Sequence, residues 1–237
     1  MEYAQHPIER GELHPLRDTC DLTASDVPTL FGFGYETLQQ LVDRKRNGGH
    51  TRQVSQSVKE LCERGHALEA PSCAWLDKHL KLEHRVADFF TLKMDVDGVP
   101  ALFGASPDAI YVAEDNPTMI INEEDDLLVE IKNPLNSTDV APDHQESNMK
   151  QKWWQYWLQV QFQLAVSHKS RAILCVWHPV LPPRVFRIQK IDAWWDQAFL
   201  PAFRRFRRYC RPGLGAEKVP RWYPGYREEV YAWAEHL

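Results

Sequence analysis

The sequence has few of the features that mark secreted, membrane or metal-cluster proteins. Its five cysteines are irregularly spaced and include no C-x-x-C pair, which argues against a zinc or iron–sulfur site and favours free thiols in a reducing compartment. No apolar run approaches the roughly 20 residues that cross a bilayer, and no basic-plus-apolar signal occurs near the N-terminus. Internal repeats are also absent. We therefore expect a soluble, intracellular protein.

A strong net charge is lacking as well. The 28 lysines and arginines against 33 acidic residues give a formal net charge of -5, so any surface for nucleic acid must come from locally clustered cations. Hydrophobic residues make up 43% of the chain, which is typical of a globular protein. We expect one domain over residues 1–237, with an irregular N-terminal arm (about 1–21) and a C-terminal helix plus tail (about 193–237).

The apolar pattern changes along the chain from helical to strand-like and back. Helical spacing is predicted over 36–46 and over 54–82, where Pro71 interrupts it. Short apolar runs then predict a strand meander, at 87–94, 99–104, 109–112, 119–121 and 127–132. A polar loop follows, and then further helices and strands, at 151–166, 171–177, 185–188 and 193–209. This order predicts an α/β (α+β) fold with a central mixed β-sheet flanked by helices.

Three polar residues in the strand region suggest a reaction. Asp108 begins one strand after a proline, and Glu130 and Lys132 are two apart on a later strand, so they share a face. If these strands pair, two carboxylates meet at one end of the sheet, and their repulsion calls for a cation such as Mg²⁺ or Mn²⁺. Lys132 could orient or deprotonate a metal-activated water, or offset developing charge. The set predicts metal-assisted phosphodiester hydrolysis, although a lone E-x-K is more often an edge-strand charge pair.

Five short motifs in a fixed order carry a family resemblance. They are Thr23-Ala24-Ser25, Gly65-His66-Ala67-Leu68-Glu69, Gly104-Ala105-Ser106-Pro107-Asp108, Glu130-Ile131-Lys132-Asn133-Pro134 and Tyr156-Trp157-Leu158-Gln159-Val160-Gln161. The set resembles the lambda-type phage exonuclease or YqaJ-type viral recombinase family, part of the PD-(D/E)xK nuclease superfamily, which includes viral alkaline exonucleases. The resemblance runs from about residue 22 to 177 and implies a restriction-endonuclease-like core.

The resemblance implies an activity and partners. The activity is a Mg²⁺-dependent 5′-to-3′ exonuclease on linear double-stranded DNA, which leaves 3′ single-stranded overhangs for recombination and strand annealing. Two metal ions are expected, and Mn²⁺ could substitute. A ring-shaped homotrimer and a single-strand annealing protein are implied partners. The location would be the bacterial cytoplasm for a phage or prophage protein, or the host cell for a eukaryotic virus. The alternatives are an endonuclease, a nuclease for branched or single-stranded DNA, and a non-catalytic DNA-binding subunit.

The same resemblance assigns roles at the metal. Asp108, Glu130 and the carbonyl of Ile131 would bind the ion. Glu69 would approach a second ion or its waters. Lys132 would handle the nucleophilic water.

Other residues would position the substrate. The resemblance implies that Gln159 positions the lysine, the water or the scissile phosphate, and that Ser25 and Ser106 lie near bound phosphate. Gln161 points about 200° away from Gln159 on a helix, so we expect it at an interface or against the sheet.

The region that would meet the DNA end departs from the family pattern. Lambda-type members have an arginine directly after T-A-S, where it contacts the 5′-phosphate, but Asp26 stands there in this chain. Asp26 is better explained as a helix-start charge, so either another cation takes the arginine's place or the preference for a 5′-phosphate is weaker. The basic candidates for DNA contact are Arg44, Arg46, Arg204 and Arg205, with a solvated helix face as the alternative.

Overall fold

The strands form two mixed four-stranded sheets. A computed structural model of the chain describes residues 1–9, 14–48, 55–112, 126–141, 147–210 and 219. The strands in these ranges are β1 (Glu2–His6), β2 (Leu22–Thr23), β3 (Phe89–Val96), β4 (Val99–Ala105), β5 (Ala109–Tyr111), β6 (Leu127–Lys132), β7 (Arg171–Val176) and β8 (Arg184–Gln189). The strand predicted at 119–121 lies outside the described residues.

Helices lie before, between and after these strands. They are a short 3₁₀ helix (Pro15–Thr19), α1 (Val27–Leu30), α2 (Leu38–Arg46), α3 (Gln56–Leu80), α4 (Ser147–Val166), α5 (Asp192–Trp194) and α6 (Leu200–Cys210). A π-helical segment, Trp195–Phe199, joins α5 to α6, so the long helix predicted at 193–209 is present. No helix among the described residues is long and apolar enough to cross a membrane.

Each sheet contains one parallel pair. The first sheet has the order β1-β3-β4-β2, and only β2 and β4 run parallel in it. The second has the order β5-β6-β7-β8, and only β6 and β7 run parallel in it. The predicted mixed architecture flanked by helices is confirmed, but the strands divide between two sheets because the chain leaves β4 at Ser106. Pro107 has no amide hydrogen to continue a ladder, and the Asp108 amide then bonds to β6.

Two expectations about local structure are wrong. The segment expected to be an irregular arm contains β1, which pairs antiparallel with β3. Its side chains are largely exposed, so its sequence carries no alternating pattern that could have predicted a strand. Pro71 does not interrupt α3, which runs unbroken through it. A proline inside a helix removes one hydrogen bond and crowds the carbonyl four residues earlier, here that of Ala67, and the rest of the 25-residue helix outweighs this local cost.

The two faces of β6 pack against different helices, and this arrangement positions the site. Val129 and Ile131 belong to a small apolar cluster with α3 residues such as Leu76. Leu128, on the opposite face, belongs to the main core, which includes much of α4. Alternation along the strand therefore turns Glu130 toward α4. This segregation of faces is the one that the E-x-K spacing predicts.

Candidate active site

Asp108 is fixed to β6 by two hydrogen bonds. Its amide donates to the carbonyl of Val129 (3.0 Å), and its Oδ2 accepts from the amide of Ile131 (2.6 Å). The condition set from the sequence, that the strands carrying Asp108 and Glu130 pair, is met, with Ala109 opposite Val129. Burial and the negative charge of Glu130 raise the pKa of Asp108 well above its ordinary value, against the opposing effect of Lys132.

Glu130 is almost completely enclosed, with 3% of its side chain exposed. Its Oε1 accepts from Gln159 Nε2 (2.6 Å) and from Lys132 Nζ. Its Oε2 accepts from Gln163 Nε2 (2.6 Å). Three donors from two elements therefore hold the carboxylate in one orientation, and charge-assisted bonds of this kind are stronger than neutral ones.

Lys132 lies between acidic and aromatic groups. Its Nζ pairs with Glu130 and lies 5.5 Å from the centre of the Tyr156 ring. Burial alone would lower the pKa of Lys132, but the charges of Glu130 and Asp108 raise it well above the ordinary value. The side chain is therefore a cation at neutral pH in this arrangement.

Helix α3 brings Glu69 to the same end of the sheet through contacts with Asn133. The carbonyl of Asn133 accepts from Arg64 (3.2 Å), and its side chain accepts from Ser72 (3.1 Å). Glu69 is half-buried and bonds to the exposed ring of His66 (2.9 Å). The charge of Glu69 contributes to the raised pKa of Asp108, so it acts on the same cluster.

Sequence reasoning missed Gln163, which is fully buried and bonds to Glu130. Gln159 and Gln163 are four residues apart on α4 and so share a face. That spacing in an otherwise apolar helix was the available signal. Gln161 lies against the sheet as expected, since it donates to the carbonyl of Gln189 (2.7 Å) and accepts from the amide of Ile191 (2.9 Å).

Asp26 is a buried ion-pair partner and does not cap a helix. It precedes α1 without making a side-chain cap bond. Its carboxylate accepts from the Thr23 amide (2.9 Å) and pairs with Arg44 (2.7 Å) and Lys45 (3.2 Å). Although burial opposes it, these neighbouring cations lower the pKa of Asp26 to about 2. Asp26 does stand at the start of a helix, as expected, but its carboxylate pairs with two cations from α2 instead of capping α1.

Arg44 and Arg46, the α2 residues proposed to contact DNA, both make contacts within the chain. Arg44 also pairs with Glu36 (2.5 Å). Arg46 donates to the carbonyl of Tyr209 at the end of α6 (2.7 Å). Both residues join parts of the fold, so their availability to DNA is smaller than the sequence predicts.

The arginines of α6 differ in their contacts: some bond to other parts of the chain and one faces solvent. Arg204 pairs with Asp97 in the β3–β4 turn (3.0 Å), and Arg207 donates to the carbonyls of Val99 and Pro100. Arg205 is exposed. The arginines of α6 therefore attach the helix to the β3–β4 hairpin in addition to facing solvent.

The two serines expected near phosphate differ in their surroundings. Ser25 is exposed, and its hydroxyl accepts from Arg17 (3.1 Å). Ser106 is half-buried between β4 and Asp108. Both remain accessible to a ligand.

The oxygen donors suit a hard divalent ion such as Mg²⁺ or Mn²⁺. Within the part of the chain that the structure describes, no group of three or more His, Cys, Asp and Glu is placed to hold an ion. Mg²⁺ usually keeps several waters and takes only one or two protein carboxylates. Asp108 and Glu130 supply two, and the raised pKa of Asp108 is the sign of a buried acid that an added cation would favour in its charged form.

Solved exonucleases share this fold. The structure superposes on the alkaline exonuclease from Laribacter hongkongensis with a TM-score of 0.52 and 17% identity, over 90% of this chain and 91% of that one. A phage-related exonuclease from Haemophilus somnus gives a TM-score of 0.50 and 10% identity, over 80% of this chain and 92% of that one. The chain therefore has the nuclease fold that these exonucleases share.

A family match identifies the chain more closely. The model of the YqaJ-like viral recombinase domain matches residues 14–170, so the chain belongs to this family. The resemblance read from the five motifs is confirmed. No curated protein matches the sequence.

Proposed function

We propose that this protein is a Mg²⁺-dependent exonuclease that digests linear double-stranded DNA from 5′ to 3′ and leaves 3′ single-stranded overhangs. Membership of the YqaJ-like family together with the exonuclease fold indicates a nuclease, a hydrolase that acts on DNA. The observation that carries the proposal is the cluster of Asp108, Glu130 and Lys132, held together at one end of β6.

The carboxylates would hold the metal. Asp108 and Glu130 would be direct ligands, with the carbonyl of Ile131 as a further one, and Glu69 would face a second ion or its waters. Mn²⁺ would be able to replace Mg²⁺. When bound, the metal would activate water and stabilise charge on the phosphate.

Lys132 would supply a fixed positive charge beside the scissile phosphate. It is paired with Glu130 and lies against Tyr156, so its ammonium group has little freedom. A cation so placed can orient the attacking water and offset the charge that develops in the transition state. Gln159 and Gln163 would keep Glu130 in the orientation that this arrangement needs.

The DNA end would be bound near Ser25 and Ser106. Arg17 donates to Ser25 and is the cation that we assign to the 5′-phosphate, in place of the arginine that Asp26 replaces. Arg44 and Lys45 are neutralised in part by Asp26. We also propose a ring-shaped homotrimer, which light scattering would test, and a partner that anneals single strands in the cell that the phage or virus infects.

A second candidate is a nuclease of the same fold that needs no 5′-phosphate, either an endonuclease or an enzyme for branched or single-stranded DNA. Asp26 favours it, because an acid held in buried ion pairs stands where the family pattern has an arginine for the 5′-phosphate. A non-catalytic DNA-binding subunit would bind without turnover.

One experiment separates these candidates. End-labelled linear duplex, with and without 5′-phosphate, is digested beside closed circular DNA in Mg²⁺. The proposal expects loss of the 5′ label first and intact circles. Cleavage of the circles would establish an endonuclease, and binding without cleavage in Mg²⁺ or Mn²⁺ would establish the non-catalytic subunit.

A further inference from the structure

Tyr35 is an exposed aromatic residue on the loop between α1 and α2. Its exposed fraction is 71%, among the largest for hydrophobic residues in the described part of the chain. Most large aromatic residues of this chain are buried instead. A single exposed aromatic residue is common on a protein surface, so its role depends on how it is held and on what lies beside it.

The backbone around Tyr35 is fixed. Phe33 is buried in the main core. Gly34 packs so closely on α1 that an added Cβ would lie 2.0 Å from the Thr29 hydroxyl oxygen. On the other side, Glu36 pairs with Arg44, and Thr37 begins α2 with a capping box. The exposed ring is therefore presented by a loop with little freedom, which lowers the entropy cost of binding a ligand.

The ring also lies next to the candidate active site. The side chains of Tyr35 and Tyr156 lie close enough to interact. The Tyr156 ring in turn lies 5.5 Å from Lys132 Nζ. A phosphodiester held by Lys132 would bring the base attached to it to the surface that Tyr35 occupies.

We propose that Tyr35 stacks on an unpaired nucleobase at the end of the DNA, next to the phosphodiester bound by Lys132. The inference rests on the proposed function and adds a base-binding position to it. A flat ring fits every base, so the contact would be independent of sequence. Because a paired base presents no free face, the contact would favour ends that have frayed or carry a short single-stranded tail.

Fluorescence of 2-aminopurine tests the proposal. A linear duplex with this base as its unpaired 5′-terminal nucleotide is mixed with protein in EDTA, so that stacking is measured without cleavage. The wild-type protein and Tyr35→Phe should quench the base, since both keep an aromatic ring. Tyr35→Leu should lose the quenching and weaken binding about 5- to 150-fold, the range for loss of one base–aromatic stack.

Tyr3→Leu is the matched control. Tyr3 is also exposed, at 41%, and it packs on His168, just before the end of β7 that lies away from Lys132. This variant should quench as the wild type does. Tyr35→Phe and Tyr35→Leu both lose the contact with the Tyr156 side chain, so their melting temperatures should be similar and a difference in quenching between them reports the aromatic ring.

Two results would overturn the proposal. The first is that Tyr35→Leu quenches the 2-aminopurine fluorescence as strongly as the wild type does, whether or not its oligomeric state has changed. The second is that the wild type does not quench it. Failure of the proposed function would look different, because the wild type would then leave DNA uncut in Mg²⁺ whatever the fluorescence in EDTA.

Discussion

Replacing Gln163 by methionine should weaken metal binding more than it weakens the fold. Gln163 donates to Glu130 Oε2 at 2.6 Å from a fully buried position. A hydrogen bond to a charged group contributes about 1.5–3 kcal/mol. Part of that loss is offset, because methionine also removes the Gln163 Oε1 atom, which is buried without a hydrogen-bond partner among the described residues. We therefore expect the free energy of unfolding to fall by about 1–2 kcal/mol.

The Gln163→Met substitution should lower the affinity for the metal by a larger factor than its small effect on the fold suggests. Without Gln163, the Glu130 carboxylate keeps its contacts on Oε1 but can turn about them. Loss of a side chain that orients a metal ligand typically lowers metal affinity or activity about 10- to 100-fold. Titration of the metal-free protein with Mn²⁺ by calorimetry measures this directly, and the rate of DNA digestion measures its consequence.

Gln161→Met is the control for Gln163→Met. Gln161 is equally buried on the same helix, but it bonds to the backbone of Gln189 and Ile191. This variant should lose a comparable amount of stability, because it removes two part-buried hydrogen bonds to the backbone, and should bind Mn²⁺ as the wild type does. Equal Mn²⁺ affinity in both variants would refute the role that we assign to Gln163.

Two further predictions concern buried acids. The pKa of Asp26 falls from 3.8 to about 2 on folding, so its ion pairs should contribute about 2 kcal/mol above pH 4, and this contribution should be lost as the pH falls toward 2. Urea unfolding at pH 7 should then show Asp26→Asn less stable than the wild type by about this amount, with a smaller difference at pH 3; a difference independent of pH would contradict the assignment. Asp108→Asn removes an acid whose pKa is raised by burial and by Glu130. It should melt at a higher temperature than the wild type at pH 8 without metal, and added Mg²⁺ should stabilise only the wild type.

Local patterns in the sequence predict the parts of the site that neighbouring residues determine. The spacing of Glu130 and Lys132 places both on one face of β6, and the proline before Asp108 marks the start of β5. Helix α2 begins two residues after its predicted start, and Thr37 forms a capping box with Gln40 there. In each case, the residues that decide the structure lie within a few positions of one another.

Contacts between distant segments were not predictable in the same way. Asp26 is paired by residues 18 and 19 positions away, and the chain would look the same locally if these cations faced solvent. The strand β1 depends on the free edge of β3, some 85 residues later, and its own pattern is polar. Arg204 and Arg46 likewise have partners that only the packing of α6 brings near. A sequence pattern predicts which face of a helix or strand is buried, but it does not predict which other element packs against that face.

The most direct test of the central claim compares two substitutions at the site, Asp108→Ala and Lys132→Ala. Linear duplex DNA is digested in Mg²⁺ by each variant and by the wild type, after circular dichroism has established that all three are folded. The account predicts that the wild type degrades the DNA and that each variant is slower by about 100-fold or more. Full activity in both variants would contradict it, because phosphodiester hydrolysis would then not depend on the cluster at the end of β6.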